Sequence, residues 1–431
     1  MIRRVLMLVF TTCFLTSCAP VPNNPTTANV NTAPPANTAP SPAAEAPRES
    51  TAQITLPLLD ALLTDETFVR ELRSRLKLTD EQINSLKRVS NEEIARLQEA
   101  NAEESDSFDG DPRTRSTEQL NKILGDQKAR ELTSLANDYW SKGSAADATA
   151  GGPQMLPGPN AVPTDTRVVV NIPAFRMDVF QDGTLVKTYM VGIGYPDFPL
   201  PQGMRKAQQI IFNPTWTPPD SPWVAKMKNI TPGETVEAGS KLNPLGPIKI
   251  PIGLPSLIHG GKAPARIGKF ASHGCVGLTN NQVKDFALLL SKASGTDLSD
   301  TTLASYLQDK EDTKTVKLNE PVPVELRYET IVLEDGKLHI YKDVYAQDTN
   351  TEDNLRKVLE VNGARLEDLS EQQRAEINDA LTGKTKPKKG ETGVVIDLTA
   401  LSGKGYPAPV NLDNGLGKPT RTQKSTKRTN H

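Results

Sequence analysis

The spacing of apolar positions changes along the chain. From Ile54 to about Ser141 it is helical. Thr79-Asp80-Glu81-Gln82 reads as a capping box, with Thr79 at the helix start and Gln82 reaching back. Ile83, Leu86, Ile94 and Leu97 follow on one apolar stripe, with charged residues on the other faces. A second helix is predicted over Thr117 to Tyr139, with Leu120, Ile123, Leu124, Leu132 and Leu135 turned inward. The stretch between them, Glu103 to Arg115, is polar and turn-rich. From Arg167 the period shortens to two. Arg167 to Ile172 is a β-branched run, and Phe175-Arg176-Met177-Asp178-Val179 alternates as a half-buried strand does. Asp182-Gly183 marks a hairpin turn, and Leu185 to Ile193 is the return strand. Val322 to Val332, Asp335-Gly336 and Lys337 to Tyr341 repeat strand, tight turn and strand, with Pro-rich loops in between. One clear helix lies in this region: Thr279-Asn280-Asn281-Gln282 caps it, Val283, Phe286, Ala287 and Leu290 form its stripe, and Gly295 ends it.

Composition divides the remainder. Ala19 to about Gln53 is Pro, Ala, Thr and Asn with almost no large apolar residue. Such a stretch cannot offset its ordering entropy and reads as a flexible tether. Gly143 to about Asp165 is a second linker. Past Asn350, Glu352 to Val361 and Leu369 to Leu381 are helical in pattern, with Ser370 as a cap. From Gly383 on, the chain is basic and low in apolar residues, and Val394 to Leu401 reads as a short strand or docking segment. The predicted layout is a signal over 1–17, a tether over 18–53, a helical region over 54–141 and a linker over 142–165. A mostly β domain over 166–345, a helical extension over 346–383 and a basic, largely disordered tail over 384–431 complete it.

The N-terminus bears on location. Arg3 and Arg4 precede an apolar run, Val5 to Leu15, that is too short to span a bilayer as a mature helix. Leu15-Thr16-Ser17-Cys18 resembles the bacterial lipobox. That resemblance implies cleavage before Cys18, lipidation of its thiol and a periplasm-facing envelope protein. Ala19 after the cysteine implies an outer-membrane anchor.

Net charge is −2, from Lys+Arg 50 against Asp+Glu 52, so nothing argues for nucleic acid as a partner. Two of the three cysteines, Cys13 and Cys18, belong to the signal. Cys275 is then the only thiol of the folded chain, and an intramolecular disulfide is excluded. Two of the four histidines, His259 and His273, lie within sixteen residues of it. A thiol with a nearby imidazole is the material of a nucleophile and its base. The same residues admit two other readings: a small buried hydrophobe at 275, or three ligands to zinc.

The segment around the thiol resembles the active-site motif of the L,D-transpeptidases, the cysteine enzymes that cross-link bacterial peptidoglycan. The resemblance covers about Thr166 to Tyr345. Val168-Val169-Val170-Asn171-Ile172-Pro173 looks like the family's opening strand, and Asn213-Pro214-Thr215-Trp216 and Asn243-Pro244-Leu245-Gly246 look like its loops. The core is His259-Gly260-Gly261, Ile267-Gly268 and Ser272-His273-Gly274-Cys275. It implies a mainly β, sandwich-like fold with a few helices, peptidoglycan stem peptides as substrate and no cofactor. Cys275 would be the nucleophile, His259 the general base, and the Gly260 carbonyl the group orienting that imidazole. His273 would shape the pocket, Gly274 and Cys275 would give amide donors to the oxyanion, and Ser272 would support the loop. The family motif commonly carries Arg or Asn where this chain has Gly277, and Arg266 or Lys269 are the cations that could compensate. The expected chemistry is a Cys thioester resolved by a stem-peptide amine, by an envelope protein amine or by water. The alternative is a non-catalytic peptidoglycan-binding lipoprotein that keeps the fold. A third reading makes the helical region the active part, because Leu78-Thr79-Asp80-Glu81-Gln82 faintly resembles a motif of helical periplasmic chaperone-like proteins.

Overall fold

The computed structural model describes residues 54–99, 111–142, 154–219, 224, 227–253 and 256–416. The expected signal with Cys13, the expected lipidation site Cys18, the expected tether and the last part of the basic tail lie outside the described residues.

Five helices come first. Thr55 caps α1 (Leu56–Leu63), and Asp65 caps α2 (Glu66–Arg75) by accepting from the Thr67 amide at 2.7 Å. In front of α3 (Asp80–Glu99) both bonds of the Thr79/Gln82 capping box are present. The single helix expected over 117–139 is two, α4 (Pro112–Leu124) and α5 (Asp126–Lys142). Gly125 separates them with φ +77°, a conformation no helix interior holds. The turn-rich reading is also corrected from Asp111 on, because Asp111-Pro112 is an N-cap followed by a first-turn proline. Leu59, Leu62, Phe68, Leu72, Leu86, Leu120 and Leu132 form the shared core of these helices.

The β domain is built on one eight-stranded sheet in the order β3-β2-β1-β10-β5-β6-β7-β9. Its strands are β1 (Arg167–Asn171), β2 (Arg176–Gln181), β3 (Thr184–Met190), β5 (Gly203–Phe212), β6 (Ile248–Pro251), β7 (Leu257–His259), β9 (Val276–Gly277) and β10 (Lys314–Arg327). The short β4 (Ile193–Gly194) and β8 (Phe270–Ser272) pair separately. Sequence patterning passed over β5, which pairs along β10 at the centre of the sheet. Asp182 and Gly183, with φ of 47° and 78°, make the tight turn between β2 and β3. Val168, Val170, Met177, Val179, Val324 and Leu326 point into one core, which α6 (Asn280–Ala293) joins through Val283, Phe286, Ala287 and Leu290. The fold of the described β domain is therefore mainly β, preceded by a helical region.

Three boundaries move. The hairpin of β11 (Ile331–Glu334) and β12 (Lys337–Tyr341) does not extend the large sheet. It forms a second, three-stranded sheet with β13 (Gly393–Asp397), so the domain expected to run to 345 ends its large sheet at β10. The helical extension is then part of a small α/β unit, with α7 (Glu352–Val361) and α8 (Glu371–Leu381) packed on that sheet. The tail expected to be disordered from 384 is ordered as far as 416. Its backbone returns to β3, where the Thr188 and Met190 amides donate to the Val410 and Asp413 carbonyls at 2.9 Å each. The strand read as half-buried, β2, is buried on both faces, since Arg176 and Asp178 lie beneath the second sheet.

Candidate active site

Strands β7 and β9 run parallel and adjacent, with Ile258 opposite Val276 and His259 opposite Gly277. That pairing brings His259 and Cys275 together from positions sixteen residues apart. Cys275 is a free thiol at the mouth of β9, partly buried. Both residues line one chamber of about 760 Å³, together with Ser272 and His273.

The loop before the thiol is fixed from several sides. Gly274 has φ +88°, a region that favours glycine, and the buried Ser256 hydroxyl donates to its carbonyl at 2.8 Å. The Ser272 hydroxyl donates to the Cys275 carbonyl and accepts from the Cys275 amide at 3.0 Å. The Cys275 amide expected to serve an oxyanion is thus already engaged within the loop. The Gly274 amide has no acceptor among the described residues. His273 stands edge-on to Phe198, with ring centroids 4.5 Å apart, and 5.8 Å from Tyr195.

His259 is buried, and its Nδ1 lies 2.7 Å from the Gly260 carbonyl oxygen. A carbonyl cannot donate, so Nδ1 carries the hydrogen and, in the neutral ring, Nε2 is left as the basic nitrogen. Burial, and after it the Lys262 charge, pushes the His259 pKa down to about 3, against the Gly260 and Leu245 carbonyls that favour the protonated ring. Burial pushes the Cys275 thiol up, although a backbone hydrogen bond from Leu257 and the Lys262 charge both favour the thiolate. The resting pair is a neutral thiol beside a neutral imidazole. Charge would separate only on transfer of the thiol proton to the imidazole.

The two cations considered for the charge missing beside Gly277 fare differently. Lys269 is exposed and does not line the chamber, while Arg266 lines it with its guanidinium donating to the Tyr195 hydroxyl. Lys262 was overlooked. Its stem lies where a side chain at 277 would go: a Cβ there would stand 2.7 Å from Lys262 Cγ and 2.8 Å from Cε. Its backbone amide donates to the Leu278 carbonyl at 3.1 Å, which fixes the lysine beside β9. The signal was a lysine two residues past Gly260 together with a residue at 277 that has no side chain to compete for the space. Ser256 was also missed, because nothing in its spacing ties it to a loop eighteen residues on. Among the described residues no group of three His, Cys, Asp or Glu side chains could hold a metal ion, so the zinc reading of Cys275, His259 and His273 has no ligand set.

Residues 165–315 match the family described as YkuD, L,D-transpeptidase catalytic domain. Among solved structures, an L,D-transpeptidase from Mycobacterium smegmatis matches at 17% identity, covering 38% of this chain and 58% of its own, with a TM-score of 0.23. The catalytic domain of the E. faecium L,D-transpeptidase matches at 15% identity over 39% of this chain and 100% of its own, with a TM-score of 0.25. L,D-transpeptidase 3 from Mycobacterium tuberculosis matches at 14% identity over 38% of this chain and 60% of its own, with a TM-score of 0.23. The chain thus spans under two thirds of the length of the two mycobacterial structures, and the scores are too low to bear on the fold. No curated protein matches the chain.

Proposed function

We propose that the protein is an envelope L,D-transpeptidase acting on peptidoglycan stem peptides, on the premise of the match of residues 165–315 to the L,D-transpeptidase catalytic domain. The Cys275 sulfur attacks the carbonyl between the third and fourth residues of a stem tetrapeptide and passes its proton to His259 Nε2. The amide of Gly274 faces the developing oxyanion; one such donor is typically worth about 3 kcal/mol. The C–N bond breaks, His259 returns the proton to the leaving amine, and a thioester remains on Cys275. An acceptor amine then attacks that thioester, loses its proton to His259 and releases the thiol. A stem-peptide amine gives a 3→3 cross-link, and a protein amine gives a wall-attached protein.

The observation that carries this reading is the Nδ1 contact of His259 with the Gly260 carbonyl at 2.7 Å, which leaves Nε2 basic in a chamber shared with the thiol. A main-chain carbonyl here does the orienting that a carboxylate does in other triads. Intact mass after incubation with a carbapenem tests it. The expected result is a gain of one drug molecule that is absent in Cys275→Ala. No adduct on a thiol that still reacts with a small alkylating reagent would overturn it and favour the non-catalytic wall-binding reading. Lipidation of Cys18 and an outer-membrane location belong to the same proposal. Labelling of cells with an alkyne fatty acid, lost in Cys18→Ser, would support that anchor, and label retained in the variant would remove it.

A further inference from the structure

The chamber that holds Cys275 is not made by the β domain alone. Pro57, Asp60, Ala61, Leu62, Thr64 and Asp65, from α1 and the start of α2, line it as well. These residues lie about two hundred positions from the thiol and outside the segment that matches the family.

The helices are held there by directed contacts. The Thr55 hydroxyl donates to the Asp197 carbonyl at 2.8 Å, a buried bond across 142 residues. Arg115 of α4 reaches Asp197 Oδ1 at 3.2 Å and Glu93 of α3 at 2.7 Å. Asp197 is 1% exposed and sits in the turn that carries Tyr195 and Phe198, the two rings against His273. From the other side, Tyr345 holds the same turn, donating to the Gly194 carbonyl at 2.9 Å and accepting from the Leu200 amide at 3.1 Å. The helical region is therefore tied to the backbone that shapes the pocket beside the nucleophile.

We propose that the α1–α2 corner is a wall of the substrate site, and that the acyl-donor stem peptide lies between this corner and Cys275. The proposal rests on the transpeptidase reading. The donor is the occupant because it must reach the thiol before any acceptor can, as a thioester mechanism requires. A volume of about 760 Å³ is within the range of sites that enclose small ligands. The helices then act on donor selection, through shape, without touching the reacting atoms.

The test uses the full mature chain with Ala61→Trp, and separately Thr64→Trp at the exposed end of α1, where a large side chain burdens folding least. Acylation of Cys275 is followed by mass with a stem tetrapeptide, and thiol access with iodoacetamide. The expected result in both variants is a loss of at least about tenfold in the rate constant for tetrapeptide acylation, with iodoacetamide within about twofold of wild type. A wild-type protein that the tetrapeptide never acylates would sink the transpeptidase reading itself. A wild type that is acylated, with both variants acylated at its rate or faster, would overturn the wall and leave that reading standing.

Discussion

Two buried groups of ionisable side chains, one where the large sheet meets the second sheet and one at the β7–β9 edge, behave in opposite ways. On one side, Arg167, Arg176, Asp178, Glu325, Arg327 and Glu334 are all buried, yet each lies in an ion pair. Glu325 takes Arg167 at 2.6 Å and Arg327 at 2.9 Å, and Arg176 takes Asp178 at 2.9 Å and Glu334 at 2.5 Å. Burial works against the Arg176 charge, but Asp178 and Glu334 more than offset it, so the guanidinium is held more firmly than usual. In the catalytic chamber the pair has no such counter-charge. The Lys262 charge pushes the His259 pKa further down, and burial keeps Cys275 a thiol. Burial with a partner preserves a charge, and burial without one removes it. The first arrangement ties the second sheet to the large one. The second leaves an uncharged thiol beside an uncharged imidazole.

The strongest way to break this comparison is to remove a partner from the paired side. Glu325→Ala leaves Arg167 and Arg327 buried without their shared carboxylate, and should cost about 3–5 kcal/mol in denaturant unfolding. The same measurement on Cys275→Ala should move stability far less, because only a small, partly buried group is lost. A small loss for Glu325→Ala would mean that the network is wetter than its burial indicates.

A smaller effect is expected at Gly277. Gly277→Ala places a Cβ 2.7 Å from Lys262 Cγ and should displace the lysine stem. Acylation should slow about tenfold, or roughly 1.4 kcal/mol, and alkylation of Cys275 should shift to higher pH, because a cation that favours the thiolate has moved. In a Lys262→Ala background, Gly277→Ala should add little. An equal loss in both backgrounds would show that the glycine acts on its own.

The smallest effect is one of pH. The His259 value of about 3 lies below that of an exposed imidazole, so its contribution to folding is complete above about 6.5 and is lost as pH falls through about 3. The base therefore stays unprotonated where an ordinary histidine would be charged. Carbapenem acylation should be nearly flat between about pH 4 and pH 8, with no break near 6.5. A break there would place His259 in contact with water.

Much of the site could be read from the chain because its spacing is local. Ser272, Gly274 and Cys275 share one short loop, and His259 comes before a strand pairing whose partner is the residue two past the thiol. The capping residues Thr79, Thr279 and Ser370 were equally legible, since each cap is closed within four residues. Lys262, Ser256 and the α1–α2 corner were not legible, because their contacts with the site depend on packing across the fold. Alternation along β2 correctly put Met177 and Val179 on one face, but it placed Arg176 and Asp178 toward water. A period of two reports that the faces differ, and it cannot report that a later part of the chain covers the polar one.

The sequence by itself determined the helical and β regions, the caps, the turns at Asp182-Gly183 and Asp335-Gly336, and the residues that can carry thiol chemistry. These follow from local sterics and hydrogen bonding, which a few neighbouring residues settle. Only the tertiary structure decided that Lys262 fills the space beside Gly277 and that the first helices line the Cys275 chamber. Each of these depends on which distant surfaces exclude water from one another, and no local pattern encodes that.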